Sequence, residues 1–318
     1  MRYANTDTPA ITRRKLRGYW AYFDADGQRI KDRDEIDRLN RIGLPPAYTD
    51  TWFSANPNTH ILATGIDARG RKQYAYHPDF TEQRNARKFE GCAGFARLLP
   101  KVRERVERDL ARRLLTEERA VASIVRLLDS GRIRIGNEHY ARENGSFGAT
   151  TLRRRHVKLA GNKVSLRFKA KSGKECSFTV SDRGLIRFVK QVQDLPGQQL
   201  FKYRCDDGTY RPITSSDVNA YIHETMGEDF TAKHFRTWAA SVLAFQWLVE
   251  EGGGLKAMLE HVSTQLGNTP AIARKSYIHP VLVEMAKSGD TSALPRRLPR
   301  ATRWLTRYDR GLIDLLEK

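Results

Sequence analysis

The chain has 318 residues, 40% of them hydrophobic, with 56 Lys and Arg against 37 Asp and Glu and a formal net charge of +19. That is long enough for two domains and apolar enough for a real core, which excludes a disordered tail. So large a positive excess implies a polyanionic partner, and nucleic acid fits better than a membrane surface because the cations are spread along the chain, not gathered beside an apolar helix face.

The first eighty residues read mostly as β structure. Residues 19–23, Tyr-Trp-Ala-Tyr-Phe, run into Asp26-Gly27, a strong hairpin-turn signal. Residues 35–42 form a short helix, stopped by Gly43 and Pro45-Pro46. Residues 60–66 and 72–77 read as two strands joined by a turn at 67–70. On the second, the two-residue period puts Lys72, Tyr74 and Tyr76 on one face. A cation followed by two aromatics is a usable surface for a nucleic-acid backbone, and it is also what a half-buried strand with tyrosines at its edge looks like.

After Pro78 the character changes to helix, over residues 83–89, 94–115 and 117–128. Leu98, Val102, Val106 and Leu110 mark the buried stripe of the second. The expected division is a β-rich domain at 1–82 and a mainly helical one at 83–318. Three short strands follow at 155–159, 163–168 and 175–180, turned by Gly161-Asn162 and Ser172-Gly173. Lys171 then sits at a hairpin tip. Helices are expected at 182–193, 215–226, 231–250 and 255–266. The third of these opens on Lys233-His234-Phe235-Arg236, a basic first turn on an apolar body that suits an arginine presented to a phosphate.

The next segment, Gly267-Asn268-Thr269-Pro270 through Tyr277, reads as a new helix with Asn268 as N-cap and Pro270 in the first turn. Tyr277 would lie among Arg274, Lys275 and His279, whose charge favours the phenolate and makes it a candidate nucleophile. The tail after Ser288 reads as loose until a closing helix at 303–316.

Cys92, Cys176 and Cys205 are odd in number and far apart, so a disulfide framework is not expected. No Cys-x-x-Cys pair, His-rich cluster, Walker-type glycine loop or carboxylate cluster points to a metal or nucleotide, and no cofactor is expected. The N-terminus lacks a signal-peptide apolar run, and the longest apolar stretch, residues 239–249, is short for a bilayer span. A reducing, cytoplasmic, nucleoid-associated setting follows as an expectation, in which Asn144-Gly145-Ser146 is a chance match to a glycosylation pattern.

Arg134, Lys171, Arg236, Asn268 and Tyr277 occur in an order that carries a resemblance. Ile133-Arg134-Ile135-Gly136, Tyr140 with Glu143-Asn144, Phe168-Lys169-Ala170-Lys171-Ser172-Gly173, Lys233 through Trp238, and Gly267 through Tyr277 together resemble the type IB DNA topoisomerases, particularly the small bacterial and poxvirus branch. Gly70 through Tyr76 is similar to that family's DNA-contacting strand. The resemblance covers about residues 40 to 290.

It implies an α+β fold: a small β-rich N-terminal lobe and a larger, mainly α-helical catalytic lobe carrying a three-stranded hairpin sheet, the topoisomerase IB and tyrosine recombinase architecture. It implies that Tyr277 attacks a DNA phosphodiester, that Arg134 and Arg236 clamp the non-bridging oxygens, that Asn268 donates a further hydrogen bond, and that Lys171 protonates the leaving 5′ oxygen. Lys72, Gln73, Tyr74, Tyr76, Tyr140 and Lys233 would contact DNA, and a monomer would close around the duplex. Many relatives carry His where this chain has Asn268, and Gly where it has Ala170, and Lys169 or Lys174 could replace Lys171 as the acid. A tyrosine site-specific recombinase shares this chemistry but usually has a helical N-terminal domain. A non-catalytic DNA-binding protein would share the charge but leaves the ordered site unexplained.

Overall fold

The computed structural model describes the chain except residues 69, 228 and 229, and except the side chains of residues 85–88. Arg69 of the expected 67–70 turn therefore lies outside the described residues. The fold is α+β, in two compact units, Met1–Lys88 and Phe89–Lys318.

In the first unit, β1 (Thr12–Leu16) pairs antiparallel with β2 (Tyr19–Phe23). The sequence reading pairs 19–23 forward through Asp26-Gly27, whereas the main pairing runs backward through Arg17-Gly18. The Asp26-Gly27 turn does form, but it returns only far enough for an isolated bridge between Phe23 and Arg29. Helix α1 (Arg33–Arg41) is capped by Asp32, whose carboxylate accepts from the Asp34 N–H. Strands β3 (Thr49–Phe53), β4 (Ile61–Ile66) and β5 (Lys72–Tyr76) make an antiparallel sheet in that order.

An isolated Ile11–Phe53 pair and a bond from the Arg13 N–H to Thr51 Oγ1 set β1 beside β3. Ile11, Tyr22, Leu39, Leu44, Phe53 and Ala63 pack between the sheet and α1. Because alternate residues point to opposite faces, Trp52, Thr64 and Tyr74, which are opposite one another in the register, belong to the other face. Helix α2 (Pro78–Glu90) follows β5.

The second unit is mainly helical. Helix α3 spans Cys92–Leu110, not 94–115: Ala111 caps it, and the chain turns so that Leu115 can join the core. Helix α4 (Glu117–Gly131) is capped by Thr116. Helix α5 (Glu138–Asn144) leads to the sheet of β6 (Val157–Ala160), β7 (Lys163–Lys169) and β8 (Glu175–Val180), in that order. Val164, Leu166 and Phe168 alternate inward along β7.

Helix α6 (Arg183–Val192), the short pair β9 (Lys202–Arg204) and β10 (Tyr210–Pro212), and α7 (Ser215–Met226) complete the outer layer. Helix α8 (Ala232–Glu250) runs through the core, buried on most of its circumference. Helices α9 (Leu255–Leu266), α10 (Pro270–Ser276), α11 (Pro280–Ser288) and α12 (Arg307–Leu316) follow. The cap of α10 is Thr269, whose hydroxyl accepts from the Ile272 N–H; Asn268 is not the cap, because its side chain is committed elsewhere.

Candidate active site

The centre of the second unit is built by four segments that are distant in sequence. Helix α4 ends in a left-handed turn at Arg132 (φ 52°), which sends residues 133–136 across the end of α8. This segment is pinned from both sides. Ala149 N–H donates to the Arg134 carbonyl at 2.8 Å, and Thr150 N–H donates to Ile135 at 2.7 Å. The contact is possible because residue 148 is glycine: a Cβ there would come within 2.6 Å of the Arg134 oxygen and 2.5 Å of the Gly136 nitrogen.

Arg236, one turn into α8, is 4% exposed. Its Nη1 donates to the Arg132 carbonyl and its Nη2 to the Leu266 carbonyl, so the guanidinium closes the C-terminal ends of α4 and α9. Burial first, and then the charge of Arg134, push its pKa down to about 10, so it remains a cation at neutral pH. Arg134 Nη2 donates to Asn268 Oδ1. The buried Nε of Arg236 and Nδ2 of Asn268 find no acceptor among the described residues, as expected of donors meant for a ligand oxygen.

Tyr277 follows the last turn of α10, with φ −136° and ψ −34°, its N–H still bonded to the Ala273 carbonyl. The Arg236 guanidinium lies over its ring, 5.1 Å from the centroid. Burial raises the phenol pKa, but Arg134 and Arg236 outweigh it and hold the group below the ordinary tyrosine range. The charges that act on Tyr277 are thus these two, and not Arg274 and Lys275. Those side chains are exposed, because α10 turns them outward. His279 is occupied too: its ring meets Phe89 edge-on and its Nδ1 caps α11 by accepting from Val281 N–H.

The structure brings Arg134, Arg236, Asn268 and Tyr277 together. Lys171 is exposed at the hairpin tip, in a single turn of 3-10 helix, Lys171–Gly173. It is Lys174 that reaches the centre, its Nζ donating to the Asn268 carbonyl at 2.9 Å. The loop turns through left-handed Ser172 and Gly173, with φ 66° and 74°.

Of the expected DNA contacts, Tyr140 is 47% exposed on α5, and Lys233 is exposed in the first turn of α8. In the first unit, Tyr74 is 44% exposed and stacks on Tyr76, which is flanked in turn by Phe80 and Arg84. Lys72 reaches Thr6 Oγ1, whereas Gln73 lies on the opposite face and donates to Asp67.

Several participants escape sequence reasoning. Ser241, fully buried on α8, has one hydroxyl proton within reach of both the Thr237 and Tyr277 carbonyls and accepts from the His279 N–H, tying the backbone beside Ile278 to α8. Arg132 adds a guanidinium bonded to Gln265. Cys176 lines a cavity of about 130 Å³ with Arg132, Arg134, Lys174 and Arg236. Burial pushes its thiol up against the opposing pull of the arginines. The only local signal for Ser241 is a small polar residue in an otherwise apolar helix.

The chain is similar to known proteins along most of its length. The family described as "Eukaryotic DNA topoisomerase I, catalytic core" matches residues 77–278, and "Bacterial DNA topoisomerase IB, N-terminal domain" matches residues 19–67. DNA topoisomerase 1B of Acanthamoeba polyphaga mimivirus is 30% identical over 291 residues, which cover 86% of this chain and 87% of the viral one. DNA topoisomerase 1B of vaccinia virus (strain Copenhagen) is 22% identical over 265 residues, 80% and 83% of the two chains. Among solved structures, XerH site-specific recombinase bound to palindromic difH substrate aligns with a TM-score of 0.39 and 16% identity, over 57% of this chain and 47% of that one. With a family match through residue 278 and a relative aligned along nearly its whole length, the chain belongs to the type IB DNA topoisomerases and is an enzyme of that class.

Proposed function

We propose that Tyr277 is the nucleophile with which this enzyme opens one strand of duplex DNA. Its hydroxyl oxygen would attack the scissile phosphorus. The bond to the 5′ oxygen would break, leaving the phosphate joined to Tyr277 and to the 3′ side of the nick. The reading rests on one observation above others: the phenol lies beside two guanidiniums that lower its pKa, and the buried Nε–H of Arg236 and Nδ2–H of Asn268 have no acceptor among the described residues. Arg134, Arg236 and Asn268 would meet the non-bridging oxygens, where charge gathers in the transition state. A lysine of the β7–β8 hairpin, Lys171 on the family pattern, would give the departing 5′ oxygen its proton. The freed hydroxyl would later attack the phosphotyrosine and restore the strand, so the bond energy is conserved and no ATP is consumed. Rotation of the open strand between these steps would relax supercoils.

The expected substrate is the duplex, held by a monomer whose first unit supplies one arm of a clamp through Tyr74, Tyr76 and their neighbours. Gln73 would have to leave Asp67 to take part. Action on chromosomal DNA would put the enzyme in the cytoplasm, at the nucleoid.

The test is relaxation of positively and negatively supercoiled plasmid in EDTA without nucleotide, by wild type and by Tyr277→Phe. Wild type should relax both. The variant should bind duplex with near-normal affinity but form no covalent 3′ adduct. Normal relaxation by the variant would place the nucleophile elsewhere.

A further inference from the structure

We propose that the β1–β2 hairpin is a second phosphate-binding surface, which meets the same duplex as the β5 face about half a helical turn away. The proposal rests on the functional reading above. Residues 12–23 contain Arg13, Arg14, Lys15 and Arg17 and no carboxylate. The hairpin turns at Arg17 and Gly18, with φ 41° and 95°. Two-residue turns of this kind favour Asn or Gly, because a side chain with a Cβ in that region crowds the backbone. An arginine is nevertheless held at the tip.

Behind the tip, cations lie on aromatic rings. The Arg14 guanidinium is 4.8 Å from the Phe23 centroid, and that of Arg29 is 5.5 Å from Tyr19, which is 47% exposed. Among the described residues no ion pair engages Arg14, Arg17 or Arg29. Arg13 differs: it donates to the carbonyls of Leu44 and Pro45 and is a structural residue. A guanidinium that rests on a ring is oriented without being neutralised, which leaves its donors for an outside acceptor.

The register fixes which way this surface faces. Ile11 and Arg13 share the core face with Phe53, so Arg14 and its flanking residues Leu16, Tyr19 and Phe23 lie on the opposite one. That is the face that carries Trp52, Thr64 and Tyr74. The β1–β2 pair and the β3–β4–β5 sheet are separate sheets that meet at the isolated Ile11–Phe53 bridge, and at that bridge four strand spacings of 4.7–4.9 Å put β2 about 19 Å from β5. A duplex rises 3.4 Å per base pair, so the same span is about 5–6 base pairs. A shared face, a hairpin without carboxylates and this spacing favour one continuous duplex. The contact would be to phosphates, because guanidiniums resting on rings beside a strand present charge along a backbone, with no element placed to enter a groove and read base edges.

The experiment measures binding of a series of duplexes, lengthened in two-base-pair steps on either side of a cleavage site, to wild type and to Arg14→Ala/Arg17→Ala/Arg29→Ala. Wild-type affinity should rise about tenfold when one side is extended about 5–6 base pairs beyond the shortest cleavable duplex. The triple variant should lack that rise. On the longest duplex its log–log salt slope should be shallower by about 2–3, one lost counterion contact for each arginine. The corresponding triple lysine variant should recover the slope. On the shortest duplex, single-turnover covalent capture should agree within twofold between variant and wild type. The inference is overturned if the variant gains affinity with length as wild type does, keeps its salt slope, or loses affinity equally on the shortest duplex. Absence of any covalent capture by wild type would instead overturn the proposed function.

Discussion

The phenol of Tyr277 depends on two cations that the sequence does not place near it. Sequence proximity suggests Arg274, Lys275 and His279, but α10 ends at Ser276, and the chain turns so that the ring faces Arg236 while Arg274 and Lys275 stay in solvent. A nucleophile candidate was legible from the motif; the groups that tune it were not, since they are brought in by α8 and by the segment after α4. A phenolate is stabilised by nearby positive charge, so removing a cation must raise the pKa. Arg134→Ala should therefore move the titration of Tyr277 in the free protein upward, whereas Arg274→Ala should leave it nearly unchanged. Carbon-13 labelling at the tyrosine ζ position resolves this by NMR. An unchanged Tyr277 titration in Arg134→Ala would mean that burial and Arg236 set its acidity alone.

At the scale of elements, the hairpin sheet was readable because β7 alternates apolar and polar residues and is bounded by Gly161-Asn162 and Ser172-Gly173. The direction of each lysine was not, because left-handed Ser172 and Gly173 decide which side chain swings inward. The cap of α10 was misread for a related reason. Asn268 and Thr269 are both good caps, and only the pull of Arg134 on Asn268 selects the threonine. The two lysines are separated by their chemistry. Lys174 holds the Asn268 carbonyl, so Lys174→Ala should loosen the loop and slow cleavage whatever the leaving group. Lys171→Ala should slow cleavage of the normal linkage but not of one whose bridging 5′ oxygen is sulfur, since a thiol is several units more acidic than an alcohol and leaves without a proton donor. Single-turnover rates on both substrates distinguish them. Rescue of Lys174→Ala rather than Lys171→Ala would reverse the assignment.

Across the second unit as a whole, the tail beyond Tyr277 is part of the machinery's frame. Sequence suggests a loose segment and a closing helix from residue 303; the structure begins α12 at Arg307 and packs it against α8 and α3. The join is polar and buried, which hydropathy could not reveal. Asp309, 4% exposed, accepts from Trp238 Nε1 at 2.7 Å and from the Thr306 backbone and hydroxyl, and lies 3.5 Å from Arg103. Arg103 also pairs with Asp129 of α4, and its pKa stays above the usual value against the cost of burial because both carboxylates face it. Trp238 is two residues from Arg236, so α12, α3 and α4 together hold the helix that carries the Arg236 guanidinium. Removing one partner from a buried charged network strands the others, at a cost of about 3–5 kcal/mol. In a unit of this size that lowers the thermal midpoint by roughly 6–20 °C. Asp309→Ala should show that loss in a thermal melt. Asp309→Asn keeps one acceptor oxygen, which can serve Trp238 Nε1 or Thr306 but not both, and should lose less than Asp309→Ala. At a temperature where both variants are folded, Tyr277 should capture DNA at near wild-type rates. A melt of Asp309→Ala within 2 °C of wild type would mean that the apolar contacts of Leu312 and Ile313 seat α12 without the buried charges.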